Sequence, residues 1–238
     1  MKLDILAFGA HPDDVELSCS GTILKHIKQG YKAGIVDLTQ GELGSRGTID
    51  TRYAEAAKAS KILGISKRVN LKMADGFFEI NHTNKIKIVE QLRRFKPDIV
   101  FCNAVSDRHP DHGRGSQLVS EACFLSALIQ IETEFEGSKQ DKWRPKAVYH
   151  YIQDRYIKPD FIVDITEEFD AKMASVLAYK TQFFDPNNKE ENTPISSPEF
   201  LEHLKGRAAQ FGRTINARYG EGFTVERTIG IEDVTILR

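Results

Sequence analysis

Short apolar or β-branched runs at residues 3–8, 33–38, 68–71, 98–102 and 147–151 alternate with longer segments of helical spacing at 21–29, 52–63, 85–95 and 115–131. Such runs read as strands buried on both faces. A parallel neighbour can be reached only by a crossover, so strands that alternate with helices imply βαβ units. The pattern restricts the chain to the α/β class, as a Rossmann-like, doubly wound, mostly parallel sheet with helices on both faces. Gly30 and Gly64 each follow the last apolar helical position, where left-handed caps fall, and Lys96-Pro97-Asp98 stops the third helix.

Further along, a strand at 161–165 feeds a helix at 167–179, and a turn-rich polar loop at 185–192 precedes a final helix at 199–211. Residues 225–237 read as an edge strand or a packed tail. With 238 residues, of which 40% are hydrophobic, the chain supports one sizeable core. It is expected to be one domain over 1–238, its C-terminal segment from about 181 packing on the α/β core or extending it.

The 33 basic and 34 acidic side chains nearly cancel, so no global field favours nucleic acid or an anionic membrane as partner. The first residues, MKLDILAF, carry an acid inside a short apolar run and read as a strand, not a signal peptide. No apolar run approaches the roughly 20 residues of a membrane span. A soluble, cytoplasmic protein is expected. Cys19, Cys102 and Cys123 are odd in number and lack CxxC spacing, which fits buried packing better than a disulfide or a thiolate zinc site.

Two of the strands end in clusters of the same character. The run AHPDDVE (10–16) follows the first, and DRHPDH (107–112) follows the fourth. In a doubly wound sheet these two strands are neighbours, and ligands bind in the crevice at their carboxyl ends. Topology therefore brings His11, Asp13 and Asp14 beside His109, Asp111 and His112. A dinucleotide site is excluded: the turn lacks GxGxxG, and paired carboxylates would repel a pyrophosphate.

Imidazole and carboxylate donors suit zinc, with manganese or ferrous iron as alternatives. Three ligands leave room for water, and of two adjacent aspartates one can bind the ion while the other accepts a proton. Spacing does not say which. The competing readings are aspartates that merely cap helices and a closed structural zinc site, which would be cysteine-rich. His26, His82, His150 and His203 stand alone and read as structural or solvated, as do Phe77-Phe78, Trp143, the apolar stripe of Cys123, Phe124, Ala127 and Leu128, and the acidic run 132–136.

The paired motifs resemble the LmbE-like and PIG-L-like zinc-dependent N-acetylglucosaminyl deacetylases. The loop TQGELGSRGT (39–48), followed by Arg52 and Glu55-Ala56, and the segment YGEGF (219–223) extend the resemblance over nearly the whole chain. Within the family the closest likeness is to the bacillithiol-pathway deacetylase, which acts on N-acetylglucosaminyl malate. The resemblance implies one zinc per subunit held by His11, Asp14 and His112, with Asp13 as general base. It further implies that His109, when protonated, steadies the oxyanion, and that Asp111 orients an imidazole. The family's AHPDDE is here AHPDDVE, which moves Glu16 by one position. Arg52, Arg108 and Arg46 are the guanidinium groups available to clamp the malate carboxylates, although Arg108 has Asp107 beside it and Arg52 has Glu55. Family likeness also implies a homo-oligomer, such as a hexamer, acting on a small N-acetylated glycoside. The alternatives are a deacetylase of another N-acetylated sugar or a bacillithiol conjugate, and a non-catalytic sugar-binding protein.

Overall fold

The computed structural model describes residues 1–236. The elements in chain order are β1 (Ile5–Gly9), α1 (Asp14–Ser18), α2 (Ser20–Lys28), β2 (Ala33–Thr39), α3 (Ile49–Leu63), β3 (Lys67–Met73), α4 (His82–Phe95), β4 (Ile99–Cys102) and α5 (Pro110–Leu125). They continue with β5 (Glu134–Phe135), β6 (Ser138–Lys139), β7 (Ala147–Tyr151), β8 (Phe161–Asp164), α6 (Phe169–Val176), α7 (Pro198–Thr214) and β9 (Gly220–Val225). Seven strands form one sheet in the order β3-β2-β1-β4-β7-β9-β8, and β5 and β6 form a separate hairpin. The first five strands of that order run parallel, while β9 is antiparallel to both β7 and β8. The fold is thus the expected α/β class, and β1 pairs with β4 through Ile5↔Ile99.

Alternation along each strand divides the core between the two faces of the sheet. Leu6, Phe8, Val36, Leu38, Val100 and Cys102 pack with Ile88 and Leu92 of α4 and Leu118 and Val119 of α5. Ile5, Ala7, Ile35 and Phe101 point the other way, onto Val15, Cys19 and Ile23 of α1 and α2. All three cysteines are free and buried. Among the described residues no helix is long and apolar enough to cross a membrane.

The segment expected at 115–131 differs at both ends. Its helix begins at Pro110, with Pro at the first turn and His109 as N-cap, and it stops at Leu125. It stops because tertiary partners take the next residue: Trp143 N and Arg93 Nε both donate to the Ser126 carbonyl, at 2.9 and 3.1 Å. The C-terminal strand is Gly220–Val225, an inner strand of the sheet and not the edge strand or tail read at 225–237; Leu237 lies outside the described residues. Within the acidic run 132–136, Phe135 pairs in the β5–β6 hairpin and stacks under Arg94, 3.9 Å from ring centroid to guanidinium carbon. Phe78 is buried in the core whereas Phe77 is exposed.

Candidate metal and catalytic site

The site lies where β1 and β4 end. β1 turns directly into α1, and a Cβ at Gly9 would sit 3.0 Å from the His11 carbonyl and 3.1 Å from Asp14 Cβ, so any larger residue would crowd this turn and push on Asp14. Asp13, at the N-cap position, has φ 117° and makes no capping hydrogen bond with its side chain. A left-handed aspartate of this kind stores roughly 1–3 kcal/mol of strain. Capping therefore does not account for Asp13. Across the crevice the α5 N-terminus carries Asp111 and His112 on its first turn.

Asp14 is the hub. Its Oδ2 lies 3.6 Å from His11 Nδ1, and its Oδ1 lies 3.2 Å from His112 Nε2. The far nitrogens of both rings are held by carboxylates: His11 Nε2 is 3.0 Å from Asp75 Oδ1 and 3.3 Å from Asp111 Oδ2, and His112 Nδ1 is 2.5 Å from Asp107 Oδ2. A carboxylate behind each imidazole fixes its tautomer and raises its basicity, as behind metal-bound histidines. Asp14 is itself braced by Asn103 Nδ2 at 2.9 Å and Gln153 Nε2 at 3.1 Å. The groups His11–His109–His112 and His11–Asp75–Asp111 also each offer ligand atoms within 4.8 Å of one another. In the second group the carboxylates are already committed, Asp75 accepting from Leu43 N, and Asp111 from Gly76 N and Arg114 Nη1. His11 Nδ1, Asp14 and His112 Nε2, like the His11–His109–His112 group, are candidates to hold a divalent cation, with Asp75, Asp111 and Asp107 behind the two imidazoles.

Electrostatics follow from burial and pairing. Burial pushes the Asp13 carboxyl up to about 7, with Asp14 adding to the effect and Arg52 opposing it. Burial also works against ionisation of Asp14, but the charge of His112 and hydrogen bonds from His11 and His112 hold it well below the usual carboxylate range. Adjacent carboxylates in such different states can divide proton transfer from ligation. His109 Nδ1 accepts from Asp111 N at 3.2 Å, which places the ring proton on Nε2. Burial, with His11 and His112 nearby, pushes the His109 pKa down. That direction favours the neutral ring, whose Nε2–H remains a donor.

A cavity of about 250 Å³ opens over these groups, lined by His11, Asp13, Asp14, His109, His112, Arg52 and Arg108 among others. It is smaller than the roughly 300–1,000 Å³ of drug-sized sites. Arg52 reaches the site: its Nη2 donates to Pro12 O at 2.9 Å and lies 3.6 Å from Asp13 Oδ2. Its path is cleared by Gly41, where φ is 67° and a Cβ would meet Arg52 Nη2 at 2.7 Å. Glu55 does not pair with Arg52; it accepts from Thr181 N and Oγ1. Arg108 pairs with Asp154 at 3.1 Å and not with Asp107.

Arg46 is buried outside the cavity lining, 3.8 Å from Glu190. Glu190 belongs to the 185–192 loop and also accepts from Gly47 N at 2.9 Å. Glu16 is fully buried away from the cavity, where it accepts from Arg68 Nη1 at 2.6 Å and from the Tyr179 hydroxyl at 3.1 Å. Sequence reasoning missed Asp75, Asn103 and Gln153. Each follows the end of a parallel strand, β3, β4 or β7, and that position is the one signal that could have found them.

The sequence profile described as PIG-L, GlcNAc-PI de-N-acetylase, matches residues 6–123. An uncharacterized deacetylase, YaiS of Escherichia coli strain K12, is 34% identical over 136 residues, spanning 54% of this chain and 73% of that one. Diacetylchitobiose deacetylase of Thermococcus kodakarensis is 26% identical over 230 residues, spanning 92% of this chain and 81% of the relative. The crystal structure of the conserved protein TT1542 from Thermus thermophilus superposes with a TM-score of 0.86 at 33% identity, covering 97% of this chain and 98% of that one.

Proposed function

This chain belongs to the PIG-L family of de-N-acetylases and is an amide hydrolase, and on that footing we propose that it removes acetate from N-acetylglucosaminyl malate in bacillithiol biosynthesis. The observation that carries the reading is the placing of Asp14 between His11 Nδ1 and His112 Nε2, at 3.6 and 3.2 Å, with Asp13 next to it in the same cavity.

In this proposal His11, Asp14 and His112 hold a divalent cation, zinc with manganese or iron as alternatives, which when bound supplies Lewis acidity. Asp13, with its carboxyl near neutrality, accepts a proton from the attacking water as that water's oxygen bonds to the acetamide carbon. The His109 Nε2–H donates to the carbonyl oxygen as negative charge develops there. Asp13 then returns its proton to the nitrogen, the carbon–nitrogen bond breaks, and acetate and the free amine leave. Asp75, Asp111 and Asp107 keep the two imidazoles in place throughout.

Malate carries two carboxylates, and Arg52 and Arg108 line the cavity to receive them. A second reading, deacetylation of a neutral N-acetylated sugar, is favoured by the likeness to diacetylchitobiose deacetylase. We also propose one domain over 1–238, supported by β9 lying between β7 and β8. We propose with it a homo-oligomer, hexamer included, for which the exposed Phe124 and Ile229, both bordering one surface cleft, are candidate contacts. Free, buried cysteines support a cytoplasmic setting.

Acetate release from N-acetylglucosaminyl malate and from N,N'-diacetylchitobiose, by protein stripped of metal and reloaded with zinc, manganese or iron, tests the reading. Preference for the malate glycoside is expected. Equal or better turnover of the neutral sugar would move the assignment to the second reading, and no acetate from either would overturn both.

A further inference from the structure

Three arginines line the cavity, and two of them already have a carboxylate partner: Arg52 faces Asp13 at 3.6 Å and Arg108 faces Asp154 at 3.1 Å. Arg207 differs. Its Nη2 donates to the Asp154 carbonyl and lies 2.7 Å from His203 Nε2, neither of them a carboxylate. Among the described residues no carboxylate pairs with it. Asp154 and Asp107 act on it only from a distance, and burial pushes its pKa down against them. The nearest acids are otherwise engaged, Asp154 with Arg108 and Asp107 with His112 and Arg155 N.

Arg207 shares one face of α7 with Phe200 and Leu204, at helical spacing of four and three residues, and this face forms a cavity wall with Leu17 and Ile195. An apolar wall lowers the local dielectric, so a charge that meets the guanidinium there interacts more strongly than it would in water. A half-buried cation lacking a counter-ion and bordered by apolar surface is a recognition element for an anion.

We infer that Arg207 is a specificity-determining residue that binds a carboxylate on the aglycone of the substrate, on the side of the cavity walled by α7. This inference rests on the N-acetylglucosaminide reading of the same site. It assigns the charge selection to a residue beyond Arg52 and Arg108, whose charges are already partly matched within the protein.

The test uses the full chain and a matched pair of ligands, the carboxymethyl glycoside of N-acetylglucosamine and its uncharged methyl ester. Acetate release gives KM and kcat for both, and calorimetric titration with the corresponding glucosamine products gives affinities free of turnover. The wild type is expected to favour the carboxylate by about tenfold, and Arg207→Met to reduce that ratio to about threefold or less through KM and not kcat. Arg207→Lys should keep part of the preference, because it keeps the charge and loses the fork. An unchanged ratio in Arg207→Met, or no preference in the wild type, overturns the inference. If the titrations show the preference while neither ligand releases acetate, the deacetylase reading has failed and the anion site stands. Should Arg207→Met fail to fold, added salt must weaken binding of the carboxylate by the wild type more than binding of the ester, and an equal response overturns the inference.

Discussion

Asp107 Oδ2 lies 2.5 Å from His112 Nδ1, so the ring that faces Asp14 through Nε2 is fixed from behind by a carboxylate five residues earlier in the chain. The same carboxylate accepts from Arg155 N at 2.6 Å, which ties the β4–α5 turn to the segment after β7. Replacing Asp107 by Asn removes the charge and leaves the shape. Zinc affinity, measured by competition with a chromogenic chelator, is expected to fall about 10–100-fold. An unchanged affinity would remove Asp107 from the support of the site.

His112→Ala takes away a proposed ligand atom and not its support. Bound zinc, read by elemental analysis after dialysis, should drop to a trace. Retention of one equivalent would show that another set, such as His11 with Asp75 and Asp111, holds the ion.

Asp13→Asn should keep the metal and lose turnover, by about 100-fold or more, because the proposed proton acceptor is gone while the three proposed ligand side chains remain. Measuring zinc content alongside kcat separates the two effects. Wild-type kcat in this variant would refute the role given to Asp13.

Arg68 donates to Asp37 through Nε and Nη2, both at 2.7 Å, and to Glu16 through Nη1 at 2.6 Å, with all three side chains nearly or wholly buried. Arg68→Met would leave two buried carboxylates without a counter-charge. A loss of about 3–5 kcal/mol of stability is expected by urea denaturation. A change below about 1 kcal/mol would show the network to be solvated.

Glu226 has its carboxyl below the usual range, chiefly through the hydrogen bond with His150, 3.1 Å away, with burial opposing. Its folded pKa lies below the unfolded value of about 4.3, so its contribution to stability is complete above the unfolded value and is lost as pH falls through the lower folded one. Glu226→Gln should therefore show a smaller drop in Tm over that window than the wild type. Parallel Tm curves for the two proteins would count against the coupling.

Much of the fold was legible because β1, β2, β4 and β7 are continuous or nearly continuous apolar runs, a pattern that survives without knowledge of tertiary contacts. Boundaries were less so. The short helix α1 was hidden inside a catalytic-looking motif, and the end of α5 is set by Trp143 and Arg93 capturing the Ser126 carbonyl, groups distant in sequence. β9 was misplaced because glycines at 220 and 222 weaken its strand signal, whereas its pairing with both β7 and β8 fixes it in the sheet.

The order of apolar runs by itself determined that strands one and four would meet, and the residues after them that histidine and carboxylate would share a crevice. Periodicity and turn chemistry act over a few residues, so these features can be read locally. Only the tertiary structure decided which nitrogen of each imidazole turns inward, that Asp75, Asn103 and Gln153 brace the cluster, that Glu16 belongs to a buried ion network, and that Arg207 reaches the cavity. Those outcomes depend on side chains from separate strands and helices competing for the same few hydrogen bonds, and that competition exists only once the sheet has closed.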